Sequence, residues 1–287
     1  MNKLIEKKSS LIEIKKEASL EVHALTNRIK EIEFNGKGEM KMRREIKHKG
    51  IDVSRWQGLI VWEHVAESGQ VDFAMLRIGG CEDEFYKDTE FEYNYAESKK
   101  AGIDVGAYYM LPRVLNGKVE LICNHILQLL GAKQFEFPIA LDVELQKPED
   151  AAITTESVKQ IGKFLETHGY YVVIYSSSNL GFKQLLYTEQ LDEFDKWVAQ
   201  WHRNSPTYPE KYGLWQRSNK GVIPGIIGDV DIDAAYYDYP AIIKHAGLNG
   251  FTANDKIFPH CNKNCNGCTH NCPCKGIRPE NTRYDKL

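Results

Sequence analysis

Apolar positions along the chain follow three successive patterns. Over residues 1–48 they fall at heptad spacing: Leu4, Leu11, Ala18, Leu25 and Ile32 recur every seven residues, and Val22 and Ile29 sit four after Ala18 and Leu25. That spacing predicts a charged helix with a coiled-coil seam of about four heptads. Lys8 and Lys15 interrupt the seam in its first half, so the segment reads either as an oligomerisation or docking helix or as a solvated arm. Gly36 and Gly38 end it. Met40 and Met42 leave open an internal start just before the next segment.

From Gly50 the pattern becomes short apolar runs separated by longer amphipathic stretches, which is the signature of βα units. Eight strands are predicted: Gly50–Ser54, Val71–Gly79, Asp104–Met110, Phe137–Glu144, Tyr171–Ser177, Lys196–His202, Tyr212–Ser218 and Val230–Tyr236. The first four gaps and the one after Ser177 can each hold a helix. Thr89–Lys100 places Phe91, Tyr95 and Ser98 on one side, and Thr154–His168 places Val158, Ile161 and Leu165 on one face. The last two gaps carry Pro206 and Pro209, then Pro224 with Gly221, Gly225 and Gly228, a density that breaks helices. The expected fold is therefore α/β, an incomplete TIM-type barrel of five βα units plus three strands over residues 49–240. An N-terminal helix precedes it. Residues 241–287 form a small Cys-rich segment, with five of the seven cysteines between Cys261 and Cys274.

Charge and composition narrow the function. A net charge of -3 argues against a dedicated nucleic-acid binder, which is usually strongly basic. No stretch approaches the roughly 20 apolar residues of a membrane span, and Met1-Asn2-Lys3 opens no secretory signal. The expectation is a protein made in the cytoplasm that reaches any external target by another route. The aromatic share of 11% suits a sugar-binding cleft, although a large core uses aromatics too.

Candidate chemistry centres on Phe137-Pro138-Ile139-Ala140-Leu141-Asp142-Val143-Glu144. Strand alternation puts Asp142 and Glu144 on one face, with bases roughly 6.5–7 Å apart, at the C-terminal end where barrel enzymes assemble their sites. One acid beside another in a low-dielectric site keeps a proton near neutral pH, and glycosidic cleavage needs a proton for the leaving oxygen and negative charge near the oxocarbenium. The plain alternative is a salt bridge from these acids to an inward Arg77. Asp52 and Asp231 lie between apolar neighbours in predicted strands, where an unpartnered carboxylate is costly. Closure makes the first and last strands neighbours, so four carboxylates converge at one opening. A hard divalent cation is the rival reading of such a cluster. His202 is the one histidine at a strand end, which disfavours a transition-metal hydrolase, and Gly79-Gly80 is a weak phosphate loop. No cofactor is expected for catalysis.

Gly50-Ile51-Asp52-Val53-Ser54-Arg55-Trp56-Gln57-Gly58 resembles the opening signature of glycoside hydrolase family 25, the Chalaropsis-type lysozymes common among phage endolysins. The resemblance continues in order through Ala74–Arg77, Gly106–Tyr109, Leu141–Glu144, Trp197–Trp201, Leu214–Gln216 and Val230–Asp233. It implies a barrel of five βα units plus three strands and hydrolysis of the β-1,4 bond between N-acetylmuramic acid and N-acetylglucosamine in bacterial peptidoglycan. It further implies Glu144 as proton donor, Asp142 as second essential carboxylate, Asp52 and Asp231 as the acids completing the site, and Tyr108 in the cleft. Tyr109 departs from the family's frequent His and is expected to alter sugar contacts. Retention through the substrate's N-acetyl group and inversion through water, with Asp142 or Asp231 as base, both stay open.

Arg77, Tyr175, Trp201, Trp215 and Gln216 complete the candidate substrate-binding set, whereas Trp62 reads as core. Cys81 and Cys123 read as small buried hydrophobes. The terminal spacing Cys261-x3-Cys265-x2-Cys268-x3-Cys272-x-Cys274 fits a structural zinc site on Cys261, Cys265, Cys268 and Cys272, a small disulfide-laced module, or a reduced tail. Four functional settings are consistent with the whole: a phage or prophage lytic muramidase, a virion-associated wall-drilling muramidase docked through the N-terminal helix, an inactive glycan-binding barrel, and a chitinase-like hydrolase.

Overall fold

The computed structural model describes residues 44–252 apart from residue 83. The N-terminal heptad segment and the terminal cysteine cluster lie outside the described residues. The strands are β1 (His48–Val53), β2 (Phe73–Cys81), β3 (Phe85–Lys87), β4 (Asp104–Met110), β5 (Ile139–Asp142), β6 (Val172–Ser177), β7 (Asp195–Ala199), β8 (Leu214–Gly221) and β9 (Val230–Ala235). The α-helices are α1 (Trp62–Glu67), α2 (Phe91–Lys100), α3 (Val119–Leu130), α4 (Ala151–Thr167) and α5 (Tyr239–Ala246).

Eight strands close into a barrel in the order β1-β9-β8-β7-β6-β5-β4-β2, completed by the β1–β2 pairing. β3 adds a short antiparallel hairpin arm to β2. Every barrel neighbour is parallel except β9, which runs antiparallel to both β8 and β1. All eight expected strands are present. The arm β3 was not expected, since its pattern is too short to read.

Period-two alternation sorts the barrel into an inner and an outer layer. Inward side chains from Phe73, Met75, Phe137, Val173, Trp197 and Leu214 form one core, while outward residues such as Ile51, Val105, Ile174 and Val198 pack under the helices. Phe73 and Phe137 stack with ring centroids 4.0 Å apart and fill the lower barrel. Gly50 is required there, because a Cβ would collide with the Phe73 ring. Trp62 is buried and donates to Asn94 Oδ1 at 3.1 Å, tying α1 to α2. Cys81 and Cys123 are buried and form no disulfide among the described residues, and burial pushes Cys123 up to about 11.

Two expectations need correction. No α-helix follows β6: Leu186 is extended (φ -140°, ψ 143°) and splits the connection into a π turn (Gly181–Leu185) and a 3-10 turn (Thr188–Leu191). Their Phe182, Leu185 and Leu191 still bury where a helix would place its apolar face. The packed unit also runs past residue 240. Ile243 of α5 and Leu248 join the inner core, and Asn249 is fully buried, donating to the Phe137 carbonyl (2.8 Å) and accepting from the Tyr171 amide (2.7 Å).

Candidate active site

Parallel strands direct their C-terminal ends to one mouth, and reversed β9 brings its N-terminal end there. The register sets Asp52 directly opposite Asp231 across β1–β9. Asp233, two residues further along β9, faces inward on the same side and is 1% exposed.

Asp52 is buried and accepts from Gln216 Nε2 at 2.8 Å. Gln216 Oε1 in turn accepts from the Tyr175 hydroxyl (3.1 Å) and from Trp201 Nε1 (3.0 Å). One glutamine thus orients a catalytic candidate and two candidate sugar contacts. Asp233 Oδ1 accepts from Trp197 Nε1 at 2.8 Å, and its Oδ2 is buried with no ordinary donor. The Asp52 carboxyl lies within hydrogen-bonding reach of Asp233. Two carboxylates cannot bond to each other, so a proton held on Asp52 and donated to Asp233 satisfies both. Burial, then the negative charges of Asp233 and Asp231, raises Asp52 well above the usual carboxylate range. Burial lifts Asp233 to about 7 against the pull of its two hydrogen bonds.

On the facing side, Asp142 ends β5 and is 3% exposed, with Oδ1 buried and unpartnered. Burial, then the Glu144 charge, raises its pKa well above normal, while the Arg77 charge opposes. Glu144 lies just past the strand and opens to solvent on one side. Crowding by protein raises its pKa, and a hydrogen bond from Tyr175 opposes this. Asp231 rises to about 6 through burial and the Glu144 charge, so these two carboxyls are near enough at the mouth to act on one another. Paired acids of this kind titrate as a unit, the charge on one favouring the protonated form of the other. The mouth accordingly offers both a protonated acid and a carboxylate.

Tyr108 lines the floor at 9% exposure, with its hydroxyl bonded to Ser54 and its ring edge-on to Trp197 at 6.1 Å. Tyr175 sits beside the same indole at 4.5 Å. Trp201 is 39% exposed at the rim. Arg77 is placed differently from a substrate contact. It is buried in an ion pair with Asp88 (2.6 Å), which also accepts from the Arg55 and Glu90 amides, so it supports the wall behind Tyr108 and Asp142. Trp215 alternates outward from Gln216, is buried, and donates to the Gln200 carbonyl at 2.9 Å. It braces the β7–β8 connection rather than the cleft. Tyr109 is corrected as well: it faces the outer layer, fully buried, with its hydroxyl 2.9 Å from His125 Nδ1 of α3, and touches no sugar path.

Among the described residues no group of three His, Cys, Asp or Glu side chains is arranged to hold a metal ion. Strand reading did not single out Asp233 as a site acid, nor the hydrogen bond it accepts from Trp197. The signal for Asp233 was present, since it lies two residues after Asp231 and must share its face.

The chain matches the family model for glycosyl hydrolases family 25 over residues 51–226. It is similar to "Uncharacterized protein YegX" of Escherichia coli strain K12, with 31% identity over 190 residues, covering 64% of this chain and 68% of that one. It is similar to Lysozyme M1 of Streptomyces globisporus, with 30% identity over 199 residues, covering 64% and 66%. Among solved structures, the bacterial lysozyme from Streptomyces coelicolor superposes with a TM-score of 0.56 at 26% identity, covering 69% of this chain and 96% of that one.

Proposed function

This chain belongs to glycosyl hydrolases family 25, and on that premise we propose that it is a lysozyme that hydrolyses the β-1,4 bond between N-acetylmuramic acid and N-acetylglucosamine in bacterial peptidoglycan. The observation that carries the reading is the convergence of Asp142, Glu144, Asp52 and Asp231 on one mouth, each with a raised pKa. Glu144, at the solvent side of the coupled pair, delivers the proton to the leaving oxygen. Asp142 stays below it and stabilises positive charge at the anomeric carbon. Its free Oδ1 suits acceptance of the substrate's acetamido N–H, which favours participation of the N-acetyl group and retention. Asp52 and Asp231 complete the field, and Gln216, Tyr175 and Trp201 hold the sugar against it.

We read the architecture as an incomplete eight-fold βα barrel, in which the fifth unit has turns in place of a helix. A phage or prophage lytic role, or a place in a virion, would bring this activity to the wall. Residues 1–48 would supply docking or self-association, and residues 241–287 a zinc-binding or wall-binding module. Among the described residues, no helix is long and apolar enough to cross a membrane.

The test is digestion of purified peptidoglycan with mass analysis of new reducing ends. Muramic acid ends are expected. Glucosamine ends indicate a different glycosidase, and cleaved peptides overturn the reading. Glu144→Gln is expected to lower wall clearing at least about 100-fold, the scale of a lost general acid, with an unchanged circular dichroism spectrum.

A further inference from the structure

Beside the acid mouth lies an open surface cavity of about 340 Å3, lined by His202, Arg203, Asn204, Arg217 and Ser218. Two hydrogen-bonded links tie it to the catalytic centre. His202 follows Trp201, which donates to Gln216, and Arg217 follows Gln216, which donates to Asp52. Neither Arg203 nor Arg217 has a carboxylate within ion-pair distance among the described residues. The Arg217 charge nevertheless reaches Asp233 and opposes the rise in its pKa, so the cavity and the acids share one electrostatic neighbourhood. His202 holds a left-handed backbone (φ 58°), which turns the chain sharply at the rim and aims 202–204 over the cavity.

The substrate raises a problem that this cavity answers. Peptidoglycan carries peptide stems ending in free carboxylates, and the mouth is itself a cluster of four acids that repels anions. A pair of guanidiniums at one edge gives those carboxylates a place to go and fixes which way the strand enters. Guanidinium forks bind carboxylates in two-point geometry, and the cavity is wide enough for more than a single carboxyl group.

Resting on the lysozyme reading, we infer that the Arg203–Arg217 cavity is a subsite for a carboxylate of the peptide stem, so that the enzyme favours glycan bearing charged stems. The lactyl carboxylate of stem-free muramic acid offers the same chemistry and is separated from the stem by experiment. Calorimetry on the full chain would use three probes: an N-acetylglucosaminyl-N-acetylmuramyl disaccharide with a free-carboxylate stem, the same compound with its stem carboxylates amidated, and the stem-free disaccharide. None contains the bond to be cut, so binding is read apart from hydrolysis.

Arg203→Ala is expected to weaken the charged-stem probe about fivefold, the upper scale of one exposed ion pair, and Arg203→Glu about tenfold or more. The other two probes should change less than twofold. Rising salt should erase the preference in the unmodified chain. Arg217→Lys, which keeps the charge beside Asp233, should cost the charged stem a few-fold, and a matching melting temperature excludes misfolding. Equal loss on all three probes, loss confined to the stem-free disaccharide, or no loss would each overturn the subsite. The digestion experiment reports separately on the lysozyme reading, because muramic acid reducing ends do not depend on which stem is favoured.

Discussion

Replacing Asp233 with Asn tests whether the Asp52–Asp233 pair holds a proton. In the native site Asp233 is buried beside Asp52, with a pKa lifted from 3.8 to about 7. Between those values the folded chain keeps a proton that the unfolded chain has released, so stability falls as pH rises through the window and the loss is complete above about 7. At 1.36 kcal/mol per pKa unit, the roughly three units between 3.8 and 7 correspond to about 4 kcal/mol. Asp52 shares this burden, so about 2–4 kcal/mol is expected for the single replacement. Asparagine keeps an oxygen for Trp197 Nε1 and offers an N–H to Asp52, and it removes the second charge. Thermal unfolding across pH should give equal stability near pH 4 and a variant more stable by about 5–10 °C at pH 8, on the scale of 2–4 °C per kcal/mol for a domain of this size. Because an acceptor of the Asp52 proton has become a donor, any limb of the activity profile governed by Asp52 should move to lower pH. A stability difference that is flat from pH 4 to 8, or a destabilised variant at pH 8, refutes the shared proton.

Three further outcomes can be checked. Asp88→Asn strips the buried Arg77 of its ion-pair partner and should cost about 3–5 kcal/mol, read as a lower denaturant midpoint, with activity falling because Arg77 stands behind Tyr108 and Asp142. Tyr109→Phe removes only the hydroxyl that meets His125 in the outer layer. It should cost about 1 kcal/mol and leave kcat/KM on peptidoglycan unchanged, and a selective loss of activity would place Tyr109 in the cleft after all. If the terminal cysteines form a zinc site, the full chain purified without chelators should carry about one zinc per chain by elemental analysis, and none bound eliminates that option.

The barrel was legible because alternation and the spacing of Pro and Gly are local signals. Inward and outward assignments follow from the same rule, which is why Asp52, Asp142, Tyr108, Tyr175 and Gln216 all face the barrel interior. What local patterns do not contain is which buried polar group answers which. Arg77 was offered to the acids of β5 and instead pairs with Asp88, eleven residues away, because a hairpin arm returns the chain past β2. Trp215 reads as cleft lining from its place near a strand end, yet parity with Gln216 sends it outward. Tyr109 fails on the same parity beside Tyr108. The helix α5 and Asn249 escaped because their apolar residues complete a core made mostly by distant strands. That contribution is visible only once the barrel's lower end exists.

The reversed strand explains why the acids meet at all. In a fully parallel barrel, residues near the start of the last strand would lie at the lower end, buried among Phe73, Phe137 and Leu214. Because β9 runs antiparallel to β1, Asp231 near its start rises to the mouth opposite Asp52, and Asp233 follows one layer below, where Trp197 Nε1 can reach it. Asp231, nearest solvent on that strand, rises to about 6, and Asp233, deeper by one layer, to about 7. A single change of strand direction therefore turns acids two residues apart in sequence into two layers of carboxyl groups beneath the mouth, one opposite Asp52 and one held by Trp197.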